Sequence, residues 1–299
     1  MRTDELGKRY RRTWALQPCT LRIPAGRVVA LVGPNGAGKT TLLHLIVGLA
    51  TPTTGAAVVL DGVPAGTPLA LDRVAFVAQD APLYGRLSAA ETLDLARLLN
   101  RAFDRRRAER RLAELGIPLG RRVGRLSGGQ QAQLALTLAL ARHPELLILD
   151  EPHARLDPLA RHEFMASLVA EADRDGVSVL LSSHIVAELE PVADDLILLT
   201  GGEVRLAGEI AVLLRTHAML RGPATGVREV AGLPGTPVVL RGPAVAARAD
   251  GPREEHLVAR LPADARTPDG WTRTGVSLEE LVLAYLREPP IHIGRGWTG

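Results

Sequence analysis

Apolar positions along the chain form runs, alternations and helical stripes, and each pattern predicts an element. Val28-Val29-Ala30-Leu31-Val32 is unbroken and rich in β-branched residues, the pattern of a strand buried on both faces in a parallel sheet. Residues 41–47 follow as an apolar stretch read as a buried helix. Before the run, 19–23 alternates and is closed by the turn Pro24-Ala25-Gly26, which predicts an antiparallel hairpin. Two more strands are expected at 57–60 and 73–78, split by Asp61-Gly62 and a Pro/Gly-rich loop. From 88 to 116 the period lengthens. Leu93, Leu95, Leu98 and Leu99, then Leu112 and Leu115, with Arg and Glu between them, predict two amphipathic helices inserted into the order of strands. Helix and strand then alternate, at 129–142, 146–149, 158–174, 177–181, 185–190 and 195–199, which implies a parallel sheet. Beyond about residue 215, Gly and Pro punctuate short strands near 238–240 and 256–261, and Ser277 with Glu280 opens a helix at 278–287 as a capping box. The expectation is an α/β chain of two domains. Residues 1–214 hold the parallel sheet, an antiparallel β hairpin region and a helical subdomain; residues 215–299 form a small C-terminal α/β accessory domain.

Composition changes this picture little. A chain of 299 residues can bury a sizeable core. The formal net charge of +3 arises almost wholly from arginines scattered among acids, which reads as a solvated surface of mixed sign, so no nucleic-acid partner is expected. Only Lys8 and Lys39 are lysines. Cys19 stands alone and offers neither a disulfide framework nor a zinc set; it is expected as a small core residue. No apolar run nears the roughly 18 residues of a membrane span, and the first residues lack the apolar core of a signal segment. The chain is therefore expected neither to span nor to cross a membrane by itself.

Candidate chemistry begins where the first buried strand ends. Gly33-Pro34-Asn35-Gly36-Ala37-Gly38-Lys39-Thr40, followed by Thr41, fits G-x-x-x-x-G-K-[ST] between a strand and a helix. Its glycines allow a tight turn that aims backbone N–H groups inward, and the helix N-terminus adds partial positive charge. Lys39 reaches terminal phosphates, and Thr40 would place its hydroxyl on Mg²⁺. Leu146-Leu147-Ile148-Leu149-Asp150-Glu151 is an apolar strand ending in two carboxylates. Asp150 is expected in the Mg²⁺ shell, and Glu151 is placed to orient and polarise a water for in-line attack on a γ-phosphate. His184 and Gln79 end two other strands at the carboxyl edge where ligands of open α/β sheets bind. His184 can contact the γ-phosphate and the attacking water, and the Gln79 amide can bridge Mg²⁺ and water. Leu126-Ser127-Gly128-Gly129-Gln130 precedes a helix and forms a second anion-binding N-terminus.

Together, the Gly33 to Thr40 loop, Gln79, the Ser127 loop, the Asp150-Glu151 strand, the Leu156-Asp157 turn and His184 resemble an ABC-family ATPase domain over about residues 5–213. The resemblance implies a P-loop NTPase core that hydrolyses ATP with Mg²⁺. It also implies that two copies of the chain pair head to tail and sandwich two ATP molecules, each between one chain's phosphate loop and the other's Ser127 loop. Tyr10, with Trp14 as its competitor, fits the place of an aromatic that stacks on adenine. The stretch from Asp80 through Ser88 resembles the lining of a groove for a coupling helix of the membrane subunit. Integral membrane permease subunits are thus the implied partners, and the implied location is cytoplasmic, peripheral at the inner face of the cell membrane. The wording around Gln79 and His184, with an extension of about 85 residues, resembles multidrug or antibiotic exporter subunits more than importers. Arg155 departs from the family, which more often has a small residue there. A GTPase is excluded because neither lysine stands two places before an aspartate, and no heptads fill the stretch from Lys39 to Asp150 that a coiled-coil repair ATPase would need. The alternative is a soluble ABC-family ATPase with a cytosolic assembly or regulatory role.

Overall fold

The computed structural model describes residues 1–79, 82–154, 156–223, 239–241, 254–261 and 266–287. Its first elements correct the expected hairpin. The arginine-rich start is itself a strand, β1 (Arg2–Tyr10), paired antiparallel with β2 (Thr13–Cys19). Beyond Cys19, which ends β2 opposite Leu6, residues 20–23 supply only an isolated bridge between Arg2 and Arg22. They are tied to β1 by Thr3, whose hydroxyl donates to Cys19 O (3.0 Å) and accepts from Leu21 N (2.8 Å). β1 was hidden because its outward residues are polar and arginine-rich, while Thr3 and Leu6 are the positions it buries most fully. Cys19 is buried as expected, and burial pushes its thiol up to about 11. β3 (Val28–Val32) does not join this hairpin. The chain continues through α1 (Lys39–Val47) to β4 (Thr54–Val59) and β5 (Val63–Pro64), which complete a sheet of order β2-β1-β4-β5.

The second sheet carries the chemistry. After α2 (Pro68–Arg73) come β6 (Val74–Val77), α3 (Ala89–Leu99), α4 (Arg105–Glu114), α5 (Gly128–Leu140), β7 (Leu146–Asp150), α6 (Pro158–Asp175), β8 (Ser178–Ser183), β9 (Asp195–Thr200) and β10 (Glu203–Glu209). The order is β10-β9-β3-β8-β7-β6, and β9 through β6 run parallel. Every residue of β3, β7 and β8 is buried, so the unbroken apolar runs have their physical cause in helices and loops covering both faces. The helix expected at 185–190 is only a short 3-10 turn, Val186–Glu188, because Pro191 disfavours helical backbone in the residue before it.

The inserted helices form their own core around Leu93, Leu112, Ile117, Val123, Leu126 and Leu134. Leu98 and Leu99, expected inside, are 76% and 74% exposed. α3 turns the face of Ala89, Thr92, Leu93 and Ala96 inward, and positions 98 and 99 fall off that stripe. Arg111 of α4 fastens this subdomain. Its guanidinium pairs with Glu171 of α6 (2.6 Å) and donates to Gln133 and Thr137 of α5 and to Ser167 of α6. Burial alone would push the Glu171 carboxyl up, but the hydrogen bond from Arg174 and the charges of Arg111, Arg174 and Arg107 hold it below its usual range.

The chain divides into two compact units, Met1–Val204 and Arg205–Gly299, ahead of position 215 where the sequence texture changes. In the second unit α7 (Ile210–Thr216) leads to β11 (His217–Pro223), β12 (Val239–Arg241), β13 (Glu254–Arg260), β14 (Thr272–Thr274) and α8 (Leu278–Arg287). The sheet is antiparallel, of order β12-β13-β11-β14, and Leu220, Leu257 and Trp271 lie in its core. The capping box is present: Ser277 Oγ accepts from Glu280 N (3.2 Å), and Glu280 Oε2 accepts from Ser277 N (2.9 Å). Of the strand expected near 238–240, position 238 lies outside the described residues, as do Asp80, Ala81 and Arg155.

Candidate functional site

The loop after β3 can exist only with glycine at two of its corners. A Cβ at Gly33 would stand 2.1 Å from Leu199 O, and one at Gly38, where φ is +103°, would stand 2.4 Å from Ala15 O. The backbone therefore packs against β9 on one side and β2 on the other. Pro34, Asn35 and Gly36 are exposed at the rim, and Ala37 is buried beneath them. α1 starts at Gly38 with no side-chain cap, so the first-turn N–H groups of Lys39, Thr40 and Thr41 have no capping acceptor of their own and suit an anion.

Five side chains from three strand ends converge here. Lys39 Nζ donates to Gly33 O (2.7 Å) and Pro34 O (3.2 Å) and lies 3.1 Å from Glu151 Oε1. Thr40 Oγ1 donates to Asp150 Oδ2 (2.7 Å), although 110 positions separate them. Glu151 Oε2 lies 3.2 Å from His184 Nδ1. The Glu151 backbone has φ of +43°, a left-handed conformation uncommon outside glycine, at the point where the chain leaves β7.

Ser182 belongs to this cluster and was missed by the sequence reading. Its hydroxyl donates to Asp150 Oδ1 (2.6 Å) and accepts from Glu151 N (2.8 Å), so one residue of β8 holds both carboxylate positions. The signal was the pair of hydroxyls, Ser182 and Ser183, ending an apolar strand. Only the parallel register, in which Asp150 stands opposite Ser182, gives them a partner.

The remaining expected residues lie further out. Gln79 is exposed in the turn after β6, two places beyond Val77, the last residue of β6, which stands opposite Leu149. Tyr10 is 51% exposed at the hairpin end, with Lys8 Nζ 5.0 Å from its ring centre, while β2 passes the phosphate loop at Ala15. Trp14 packs against Gly7 and beneath Arg9. Ser127 caps α5 in a reciprocal box with Gln130: Ser127 Oγ accepts from Gln130 N (3.2 Å), and Gln130 Oε1 accepts from Ser127 N (3.2 Å). Gly128 is exposed, and Gly129 lies against Ala160 of α6, where a Cβ would come within 3.1 Å.

A family model described as "ABC transporter" matches residues 16–154, and an AAA-domain model matches residues 120–190. "Aliphatic sulfonates import ATP-binding protein SsuB" of Shigella flexneri serotype 5b (strain 8401) is 38% identical over 207 residues, covering 68% of this chain and 78% of the relative. The chain belongs to the ABC transporter ATP-binding family. "Probable multidrug ABC transporter ATP-binding protein YbhF" of Escherichia coli (strain K12) is 35% identical over 226 residues, covering 72% of this chain and 39% of the relative. A solved ABC structure, "Dimeric structure of a post-hydrolysis state of the ATP-binding cassette MJ0796 bound to ADP and Pi", superposes with a TM-score of 0.62 at 27% identity, covering 70% of this chain and 98% of that one. The fold is thus the P-loop NTPase cassette expected from the motifs. The likeness to exporters in particular is not singled out, since an import protein stands among the relatives. Among the described residues, no helix of this cassette is long and apolar enough to cross a membrane.

Proposed function

We propose that this chain binds and hydrolyses ATP as the motor subunit of an ABC transporter, driving transport through separate membrane-spanning subunits. The observation that carries the reading is the convergence of the loop after β3 on the end of β7: Thr40 on Asp150 at 2.7 Å and Lys39 on Glu151 at 3.1 Å. The donor set fits Mg²⁺, a hard cation that takes one or two protein oxygens and leaves its other places to phosphate and water. Thr40 and Asp150 would hold it, with the Gln79 amide as a further ligand, and when bound it neutralises charge on the phosphates. Lys39 exchanges its carbonyl and carboxylate partners for phosphate oxygens. Glu151 orients the attacking water, and His184, against Glu151 Oε2, holds that carboxylate and contacts the γ-phosphate. Tyr10 offers its exposed ring to adenine. Ser127, on the exposed end of α5, completes the site of a second copy of the chain in a head-to-tail sandwich.

The named relatives are import and multidrug transporter proteins, which supports a permease partner and a place at the inner face of the membrane, and gives the non-transport alternative no support. We assign export as the direction, on the similarity to the multidrug protein and the extension beyond the cassette. The test is phosphate release from ATP and Mg²⁺ by the purified chain, together with its recovery from detergent extracts with an integral membrane partner. Loss of release in Glu151→Gln is expected; a chain that releases no phosphate and brings down no membrane protein refutes the reading. With the partner reconstituted, substrate accumulation inside inside-out vesicles marks export, and depletion marks import.

A further inference from the structure

We infer that His153 is a positioning residue for hydrolysis, a buried clamp that fastens the loop carrying Glu151 to the loop carrying His184. The inference rests on the ATPase reading above. His153 follows Glu151 by two places and is 1% exposed. Its Nε2 lies 3.2 Å from Ser183 Oγ, on the last residue of β8, and 3.2 Å from Glu188 Oε2, in the turn that follows. Ser183 Oγ also accepts from Ile185 N (3.0 Å), so the hydroxyl that meets His153 sets the turn from which His184 projects. Glu188 is held in turn by Arg161 of α6 (3.1 Å), whose Nε donates to Leu156 O (2.9 Å) at the far end of the Glu151 loop. The contacts close a ring: His153 to Ser183 and Glu188, Glu188 to Arg161, Arg161 to Leu156, and back along the chain.

Two bridges therefore join the catalytic loops, the half-exposed Glu151–His184 contact and the buried His153–Ser183 contact. One bridge leaves two loops free to pivot, whereas two fix their relative orientation. Burial pushes the His153 imidazolium below the ordinary histidine range, so the ring is neutral near pH 7 and carries one N–H. With that proton on Nε2, Nδ1 is buried without a hydrogen-bond partner among the described residues. An apolar side chain of the same size would avoid that desolvation, so the ring's place is explained by its Nε2 contact and not by packing.

The test uses the full chain with His153→Ala, His153→Gln and Ser183→Ala, beside wild type and Glu151→Gln. In amide hydrogen exchange without nucleotide, His153→Ala and Ser183→Ala should speed exchange at the Ile185 amide and across 183–189 while leaving β3 and β7 unchanged. With ATP and Mg²⁺, kcat should fall about 10- to 100-fold in both while KM stays within about twofold, as expected for misplaced catalytic groups. His153→Gln, whose Nε2 amide can donate to the same oxygen, should recover kcat to within about threefold. If His153→Ala does not fold, Ser183→Ala carries both readouts. Unchanged exchange at 183–189, or a kcat within about twofold of wild type, overturns the inference. Exchange is read without nucleotide, so a wild-type chain that released no phosphate would sink the ATPase reading separately.

Discussion

Lys39 Nζ lies 3.1 Å from Glu151 Oε1, and the two residues are only 5% and 8% exposed. The lysine that opens α1 and the carboxylate proposed to orient water thus pair in a nearly dry site, where a bound phosphate would compete with Glu151 for the same ammonium. Removing either member has a different consequence for binding, turnover and stability.

Glu151→Gln keeps the size and hydrogen bonding of the side chain and removes its charge. Phosphate release should slow by ~10² to 10⁴, while ATP binds at least as well, because Lys39 no longer leaves a carboxylate to meet it. ATP-stabilised dimers should then accumulate in gel filtration with ATP and Mg²⁺. Turnover equal to wild type would remove Glu151 from its assigned role.

Lys39→Ala should weaken ATP binding and also destabilise the protein without ligand. It leaves Glu151 buried beside no cation, a loss of about 3–5 kcal/mol for a broken buried pair. Adding Glu151→Gln to it should return much of that stability and none of the affinity. Denaturant titration reads the first quantity and calorimetry the second; equal stability of Lys39→Ala and wild type would contradict the buried pairing.

Ser127→Arg should leave Lys39, Thr40 and Asp150 intact yet abolish hydrolysis, since this serine is proposed to complete the site of the other copy. In mixtures with Lys39→Ala, heterodimers place both lesions in one site and neither in the other. Full ATPase activity of Ser127→Arg alone, independent of protein concentration, would mean that the site is built within one chain.

His217 of the second unit is buried between Leu213 O (2.8 Å from Nδ1) and the Tyr285 hydroxyl (3.0 Å from Nε2). Burial pushes its imidazolium below the ordinary histidine range, so the unfolded chain binds the proton more readily than the folded one. Stability from this group is present above the unfolded value, near 6.5, and is lost as pH falls through the lower folded value. Thermal melts of wild type should therefore drop as pH falls below about 6.5, with a slope up to about 1.4 kcal/mol per pH unit from this one proton. His217→Gln should flatten that drop, and an unchanged pH dependence would show that His217 does not titrate on unfolding.

Much of the site was legible because its parts are local. The glycines at 33 and 38, the lysine and threonine that open α1, the carboxylates ending β7 and the capping residues before α5 each act within one turn of their neighbours. Periodicity likewise placed the helical insertion and the alternation of the sheet. It failed where polar residues line an edge strand, as in β1, and where an apolar residue falls off the stripe its helix buries, as with Leu98 and Leu99.

By itself the sequence determined where the glycine loop lies between strand and helix, which carboxylates end the strand, and that strands and helices alternate, because those features depend on spacing along one stretch of chain. Only the tertiary structure decided that β8 lies between β3 and β7. That order brings Ser182 onto Asp150 and Glu151, and it sets His153 against Ser183, the residue before His184. Strand order is chosen by which buried faces pack together, a long-range balance of burial that no local pattern records, so residues whose partners lie across it look like ordinary serines and histidines until the sheet is assembled.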